Sequence, residues 1–175
     1  GTHPTSCKCR VQFPGDLERR ADCGTPTLCP PIFERLVGMT AFPSFGPGAV
    51  THHLKTDDGV QMRVVIEGTG PDIVFIPGGD TPAEGYAQLF KRLTQTHRCI
   101  AYDPRGAGET TSPPPPWRME DYARYCAAII DAFCEGKAIV CGLSLGGLVT
   151  QATAIDFPDK VRMAIPMGTA AYIDG

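Results

Sequence analysis

Short apolar runs alternate with amphipathic stretches between residues 72 and 168, and this alternation constrains the fold more than any other feature. The runs DIVFI (72–76), RCIAYD (98–103) and KAIVCG (137–142) are each typical of a strand buried on both faces of a sheet, and VRMAIPMG (161–168) is predicted to be a last strand. Residues 82–95, 118–133 and 145–157 lie between them and carry apolar side chains at helical spacing. Strands that alternate with helices predict an α/β fold, a mainly parallel, doubly wound sheet with helices on both faces.

Two further strands are predicted ahead of this alternating region. VTHHLKT (50–56) and VQMRVVIEG (60–68) are joined across Asp57-Asp58-Gly59, a turn suited to a hairpin. The sequence therefore predicts about six strands in one domain over residues 39–175. Residues 1–38 show neither strand alternation nor a helical stripe, and Pro, Gly, Cys and Arg break them repeatedly. We expect these residues to be a leader, a tag or a flexible extension, with the regular part opening at Met39.

Charge and cysteine content exclude several classes of protein. A formal net charge of −3 gives no electrostatic reason to bind nucleic acid or an anionic membrane, and no apolar run reaches the roughly 18–20 residues that span a bilayer. The first four of the eight cysteines lack the paired C-x₂-C spacing of a zinc site, and the last four fall inside apolar segments. These cysteines are Cys7, Cys9, Cys23 and Cys29, then Cys99, Cys126, Cys134 and Cys141. We predict no metal, no cofactor and a reducing, cytoplasmic compartment.

One serine lies at the junction of a predicted buried strand and a predicted helix. The segment from Gly142 to Gly146 reads G-x-S-x-G around Ser144. In that setting the pattern predicts a nucleophile elbow, a turn so tight that only glycine fits two positions either side of the serine. The turn directs the hydroxyl towards solvent at the carboxyl end of the sheet, where open α/β sheets bind ligands. The structural alternative is that Ser144 only caps the helix.

Two more segments accompany the elbow in the expected order. FIPGGD (75–80) follows the third predicted strand, and YDPRGAGET (102–110) gives D-x-R-G-x-G after the fourth. With these three motifs the chain resembles the α/β-hydrolase fold superfamily over residues 50–173, in particular its serine esterase, lactonase and haloperoxidase-like branch. One departure is Pro77, which stands where the family usually has the His of a His-Gly pair.

The resemblance implies a nucleophile and an oxyanion hole. Ser144 would be the catalytic nucleophile, and the oxyanion donors would be the backbone N–H groups of Leu145 and Gly79, with Asp80 as the alternative to Gly79. Asp103 and Arg105 are expected to be structural, since an acid and an arginine in a Gly-rich turn commonly tie a loop down by charge-assisted hydrogen bonds.

The rest of the catalytic machinery is not visible in this sequence. In the family the order is Ser, then Asp or Glu, then His, but Asp156, Asp159 and Asp174 are the only acids after Ser144 and no His follows it. The resemblance therefore implies the N-terminal portion of the fold, with the acid, the His and a lid provided by a missing segment or a second chain. Without that partner the predicted strand 161–168 would be an apolar, unpaired edge, and the chain is expected to be inactive alone.

Three functions are compatible with these observations. The first is a serine hydrolase of small carboxylic esters, lactones or thioesters that forms an acyl-enzyme on Ser144. The second is a non-catalytic ligand-binding or assembly protein that keeps the pocket. The third, within the enzymes, is a cofactor-free haloperoxidase or a carbon–carbon bond hydrolase. The intact elbow favours catalysis, because a structural role does not need a strained serine.

Overall fold

Six strands form one sheet in the computed structural model of the chain, which describes residues 42–112 and 114–171. The strands are β1 (Val50–Lys55), β2 (Gln61–Glu67), β3 (Asp72–Ile76), β4 (Arg98–Tyr102), β5 (Ala138–Leu143) and β6 (Val161–Met167). Their order across the sheet is β1-β2-β4-β3-β5-β6. The pairs β1–β2 and β2–β4 are antiparallel, and the pairs β4–β3, β3–β5 and β5–β6 are parallel. The predicted mainly parallel sheet is confirmed.

Helices cover both faces of this sheet. The 3₁₀ turn Ala83–Tyr86 leads into α1 (Ala87–Leu93), and α2 (Met119–Phe133) and α3 (Leu145–Asp156) follow later in the chain. Phe90 of α1 packs on one face with Val65 and Phe75. Ile129 of α2 and Val149 of α3 pack on the other face with residues of β2 to β5. The helices therefore pack their apolar faces on both sides of the sheet, α1 on one side and α2 and α3 on the other. This confirms the doubly wound arrangement.

The first two strands form the predicted hairpin. Pairing runs from Val50 opposite Ile66 to Lys55 opposite Gln61, and the N–H of Thr56 donates to the carbonyl of Val60 at 2.9 Å across the turn. Gly59 has φ +85°, a conformation that glycine adopts without steric cost. The hairpin therefore turns across Asp57-Asp58-Gly59, the segment that the sequence predicted.

Parallel pairing brings three loops to one edge of the sheet. Because β3, β4 and β5 run in the same direction, the segments that follow them all begin at the carboxyl edge. These segments are residues 77–82, residues 103–118 and the turn into α3 at Ser144. The fold thus gathers the three sequence motifs at one edge.

Some expectations concern other parts of the chain. The interpretation of residues 1–38 falls outside the described residues. Of the later cysteines, Cys99, Cys126 and Cys141 are buried free thiols, and Cys134 is a half-buried one. Over the described ranges no helix is both long and apolar enough to cross a membrane.

Candidate active site

Ser144 occupies a strained position between β5 and α3. Its backbone has φ +55° and ψ −117°, a conformation that side chains other than glycine rarely adopt. The residue is exposed, and its N–H donates to the carbonyl of Met167 at 3.0 Å, which fixes the turn to the end of β6. A strained backbone conformation persists only where the surrounding structure enforces it, and such residues cluster at functional sites. The strand-turn-helix context expected for the elbow is present.

The neighbouring glycines are required by backbone contacts. A Cβ on Gly142 would lie 2.0 Å from the carbonyl oxygen of Gly146, and a Cβ on Gly146 would lie 2.0 Å from that of Ile76. Both distances are far shorter than any non-bonded contact allows. The two glycines therefore let α3 lie directly against the ends of β3 and β5, and this close approach makes the turn tight.

The loop after β3 lies next to the serine. A Cβ on Gly78 would stand 3.6 Å from the Cβ of Ser144, and one on Gly79 would stand 3.8 Å from Cδ2 of Leu145. Leu145 is the first residue of α3, so its N–H has no acceptor within the helix. The structure therefore places Ser144, Leu145 and the 78–79 segment, which the resemblance assigns to an oxyanion hole, next to one another. Asp80, the alternative donor, is exposed and has φ +56°.

A cavity of about 340 Å³ opens in front of Ser144. Its wall is largely apolar and includes Phe42, Pro77, Tyr86 and Leu143 beside the polar Thr81. The Tyr86 hydroxyl donates to the carbonyl of Ile76 at 3.2 Å, and burial raises the pKa of Tyr86, so this phenol is neutral and structural. Sequence reasoning missed these lining residues, because they come from four separate places in the chain.

Asp103 accepts several hydrogen bonds from neighbouring residues. It is fully buried at the end of β4 and accepts from the backbone N–H groups of Ala83 at 2.7 Å and Glu109 at 2.8 Å. The guanidinium of Arg63, on β2, donates to both of its oxygens at 3.3 Å. Asp103 is therefore structural, as expected, but the arginine that compensates its charge is Arg63.

Arg105 belongs to a different cluster. It is also buried, and its guanidinium donates to Tyr125 of α2 and reaches Asp58 of the β1–β2 turn at 3.4 Å. Its guanidinium carbon lies 4.8 Å from the ring centre of Tyr125 and 5.8 Å from that of Trp117. Asp103 and Arg105, neighbours in the sequence motif, thus hold two different sets of loops.

A base and an acid beside Ser144 are not found in the described residues. His52 and His53 lie on β1, four strands away from β5, and His97 precedes β4 at the amino edge of the sheet. Asp156 ends α3, and Asp159 lies between α3 and β6, so both are at the end of that helix remote from Ser144. The described part of the chain therefore brings Ser144 and the 78–79 segment together without a His beside them.

A larger cavity of about 540 Å³ lies at the opposite, amino edge of the sheet. Charged side chains, among them Asp72, Arg98, Glu135 and Lys137, line it. Arg98 and Asp72 are already paired at 2.9 Å, and none of the three motif segments around Ser144 lines this cavity. The cavity at Ser144 is therefore the candidate site, although it is the smaller of the two. Over the residues that the structure describes, no group of three or more His, Cys, Asp or Glu side chains is placed to hold a metal ion.

Comparison with known proteins identifies relatives with this architecture. Residues 71–174 match the model of the alpha/beta hydrolase fold family. The chain is 30% identical over 115 residues to 2-(acetamidomethylene)succinate hydrolase of Mesorhizobium japonicum, covering 66% of this chain and 41% of that protein. It is 31% identical over 103 residues to 3-oxoadipate enol-lactonase 2 of Acinetobacter baylyi, covering 59% of this chain and 39% of the lactonase.

Solved structures agree with these sequence matches. The crystal structure of E-2-(acetamidomethylene)succinate hydrolase superimposes with a TM-score of 0.67 and 28% sequence identity, over 72% of this chain and 47% of that one. The chain therefore spans less than half of the length of these relatives.

Proposed function

The chain belongs to the α/β-hydrolase fold family, and from that premise we propose that it forms the nucleophile half of a serine hydrolase. The proposed substrates are small carboxylic esters, lactones or thioesters. The observation that carries the proposal is Ser144 itself, exposed at φ +55° beside the 78–79 segment. A serine that only capped α3 would not need this conformation.

The chemistry follows from the placement of these groups. The Ser144 oxygen attacks the substrate carbonyl carbon, and its proton passes to an imidazole of the remaining polypeptide. The carbonyl oxygen becomes an oxyanion held by the N–H groups of Leu145 and Gly79. Collapse of this intermediate expels the alcohol, enol or thiol with that proton and leaves an acyl-enzyme. Attack by water then releases the carboxylic acid and restores Ser144.

The apolar wall of the cavity supports an uncharged acyl group. Phe42 and Leu143 are exposed large apolar side chains at the mouth of the cavity. They would lose contact with water when an apolar acyl group entered, which favours binding. A charged group in the same position would lose its hydration without an opposite charge among Phe42, Pro77, Tyr86 and Leu143.

We propose further that a second segment of polypeptide pairs with β6 and carries the His and the acid. In the described part of the chain β6 is an edge strand, with Met163 55% and Ile165 38% exposed. Open apolar edges of this kind associate readily with other strands. The relatives, which are more than twice as long as the matched part, are consistent with such a segment.

The four cysteines in the described residues are free thiols, and they support a reducing, cytoplasmic compartment, because buried cysteines that stay unpaired are typical of reduced proteins. Fractionation of the source cells tests this placement. Recovery of the protein from an oxidising compartment would contradict it.

Labelling with a fluorophosphonate tests the function directly. In the full-length protein we expect stoichiometric labelling of Ser144, located by mass spectrometry of the labelled peptide. Ser144→Ala should abolish the label, whereas Ser112→Ala should retain it, since Ser112 lies outside the cavity. Absence of labelling in a folded full-length protein would favour the non-catalytic ligand-binding alternative.

A further inference from the structure

We infer that Arg63 and Glu84 are positioning residues that hold the loop of residues 77–82, and with it Gly79, in register with Ser144. The inference rests on the proposed function, because it assigns the pair a role in oxyanion stabilisation. Neither residue lines the cavity in front of Ser144. Their effect on the reaction would act through the loop.

The pair is a two-pronged ion pair at the end of that loop. Glu84 lies in the 3₁₀ turn that follows residue 82, and Arg63 lies in the middle of β2. Nη2 of Arg63 donates to Oε1 of Glu84 at 2.6 Å, and Nη1 donates to Oε2 at 3.2 Å. Parallel contacts of this kind fix orientation as well as distance, which a single contact does not.

The same guanidinium also fixes the residue before Glu84. Nη1 of Arg63 donates to Asp103, whose Oδ1 accepts from the N–H of Ala83 at 2.7 Å. Arg63 is only 11% exposed, and Asp103 is fully buried. Two consecutive residues at the end of the loop are therefore tied to one arginine, one through its side chain and one through its backbone.

The outer part of the loop has few other contacts, whereas Pro77 and Gly78 are buried beside the start of α3 and the end of β5. Gly79 and Asp80 are exposed, and the bonds within the loop are long. The N–H of Thr81 donates to the carbonyl of Gly78 at 3.3 Å, and the Thr81 hydroxyl donates to the carbonyl of Gly79 at 3.3 Å. Asp80 adds strain through its φ of +56°. The position of Gly79 therefore depends on the anchor at Ala83 and Glu84.

The charges of the pair are stable at neutral pH. The hydrogen bond to Glu84 raises the pKa of Arg63 despite burial. Burial acts to raise the pKa of Glu84, but the hydrogen bond and charge of Arg63 outweigh it and leave that pKa below its usual value. The anchor is therefore a salt bridge under ordinary assay conditions.

A second ion pair in the same sheet provides a matched control. Nη1 of Arg98 donates to Oδ1 of Asp72 at 2.9 Å, and Oδ2 of Asp72 accepts from the N–H of Glu135 at 2.9 Å. This pair is also largely buried, and it ties a loop to a strand. It lies at the amino edge, away from Ser144. Variants of either pair are therefore expected to lose stability, whereas only variants of Arg63 and Glu84 are expected to misalign the oxyanion donor.

The test compares Glu84→Gln and Arg63→Lys with Asp72→Asn in the full-length protein, with p-nitrophenyl acetate as substrate. We expect Glu84→Gln to lower kcat about 10- to 100-fold, somewhat less than complete removal of one oxyanion donor, with KM changed by less than about twofold. Arg63→Lys keeps the charge but not the two-pronged geometry and should fall between Glu84→Gln and wild type. Asp72→Asn should leave kcat and KM unchanged.

Amide hydrogen exchange at Thr81 and Ala83, whose N–H groups donate to Gly78 and Asp103, supplies a readout that does not depend on activity. We expect faster exchange there in Glu84→Gln and wild-type rates in Asp72→Asn. Unchanged exchange in Glu84→Gln overturns the inference even if the protein proves to have no hydrolase activity. Faster exchange without a fall in the kcat of an active enzyme also overturns it. If wild type is not labelled at Ser144, the proposed function fails instead.

Discussion

Gly142 and Gly146 lie so close across the Ser144 turn that a Cβ on Gly142 would stand 2.0 Å from the carbonyl oxygen of Gly146. The contact partner is backbone, so a change of rotamer cannot relieve it. The serine, the start of α3 and the end of β5 therefore form one unit. Any side chain at either glycine must move α3 away from the sheet.

We predict that Gly146→Ala lowers the free energy of unfolding by about 3 kcal/mol or more, the upper range for overpacking a core. Its Cβ would lie 2.0 Å from the carbonyl oxygen of Ile76. Gly136→Ala is the control, because Gly136 has φ +104° but open space around its Cβ. That variant should lose about 1 kcal/mol through backbone strain alone. Urea unfolding measures both, and equal losses would contradict the packing argument.

The Arg105 cluster leads to a second prediction. Tyr125 is buried and donates to Asp58 while it accepts from Arg105, whose Nε has no hydrogen-bond partner in the described residues. Tyr125→Phe leaves a buried guanidinium with one partner fewer. We expect the free energy of unfolding to fall by about 1–3 kcal/mol.

Tyr122→Phe is the control for this change, since Tyr122 lies on the same helix and its hydroxyl makes no hydrogen bond to any described residue. It should alter the free energy of unfolding by less than about 0.5 kcal/mol. Thermal and urea unfolding both measure the difference. Similar losses in the two variants would mean that the Arg105 contact contributes nothing.

The fold was largely predictable because its local signals agree with one another. The central strands are short, largely apolar runs, as the predicted 72–76 shows against the observed β3, Asp72–Ile76. The elbow at Ser144 was also predictable, since its glycines are adjacent in sequence to the strand and helix that they join. The order of the strands was not, because alternation indicates direction and burial but does not say that β4 lies between β2 and β3.

The parts of the site that could not be predicted depend on contacts distant in sequence. Glu84 and Arg63 are 21 residues apart and belong to no motif. Asp103 and Arg105 share a motif, which suggested that they act together, yet Asp103 is paired with Arg63. The one available signal was Arg63 itself, a charged residue between Met62 and the apolar run of residues 64–66. A buried cation requires a carboxylate, but sequence does not say which one.

The buried thiol of Cys126 leads to a prediction on pH. Burial raises its pKa to about 12, although hydrogen bonds with Thr153 and Tyr102 oppose the shift. A thiol in the unfolded chain has a pKa of about 8.5, so above that pH the unfolded state loses a proton that the native state keeps. Stability from this group is complete below about pH 8.5 and declines as pH rises towards 12.

Urea unfolding at pH 8 and pH 10 measures this effect. Wild type should lose up to about 2 kcal/mol more than Cys126→Ala between the two pH values. Ile129→Val, a cavity-forming change on the same helix, should lower stability equally at both and keep the wild-type pH dependence. An unchanged pH dependence in Cys126→Ala would show that this thiol titrates normally in the folded state.

The exposed edge at β6 gives the last prediction. Met163 and Ile165 present apolar side chains on β6, which among the described residues pairs only with β5. Exposed positions tolerate substitution within about 0.5 kcal/mol, so Ile165→Lys should not destabilise the described domain. It should weaken association with the segment proposed to pair with β6, because the lysine would lose hydration at that contact. Val50→Lys is the matched control, since Val50 is 54% exposed on β1 at the opposite edge of the sheet. Analytical gel filtration of residues 39–175 mixed with the remaining polypeptide measures the association. If both lysine variants associate as wild type does, β6 is not the contact; if only Ile165→Lys fails, the proposed segment pairs with β6.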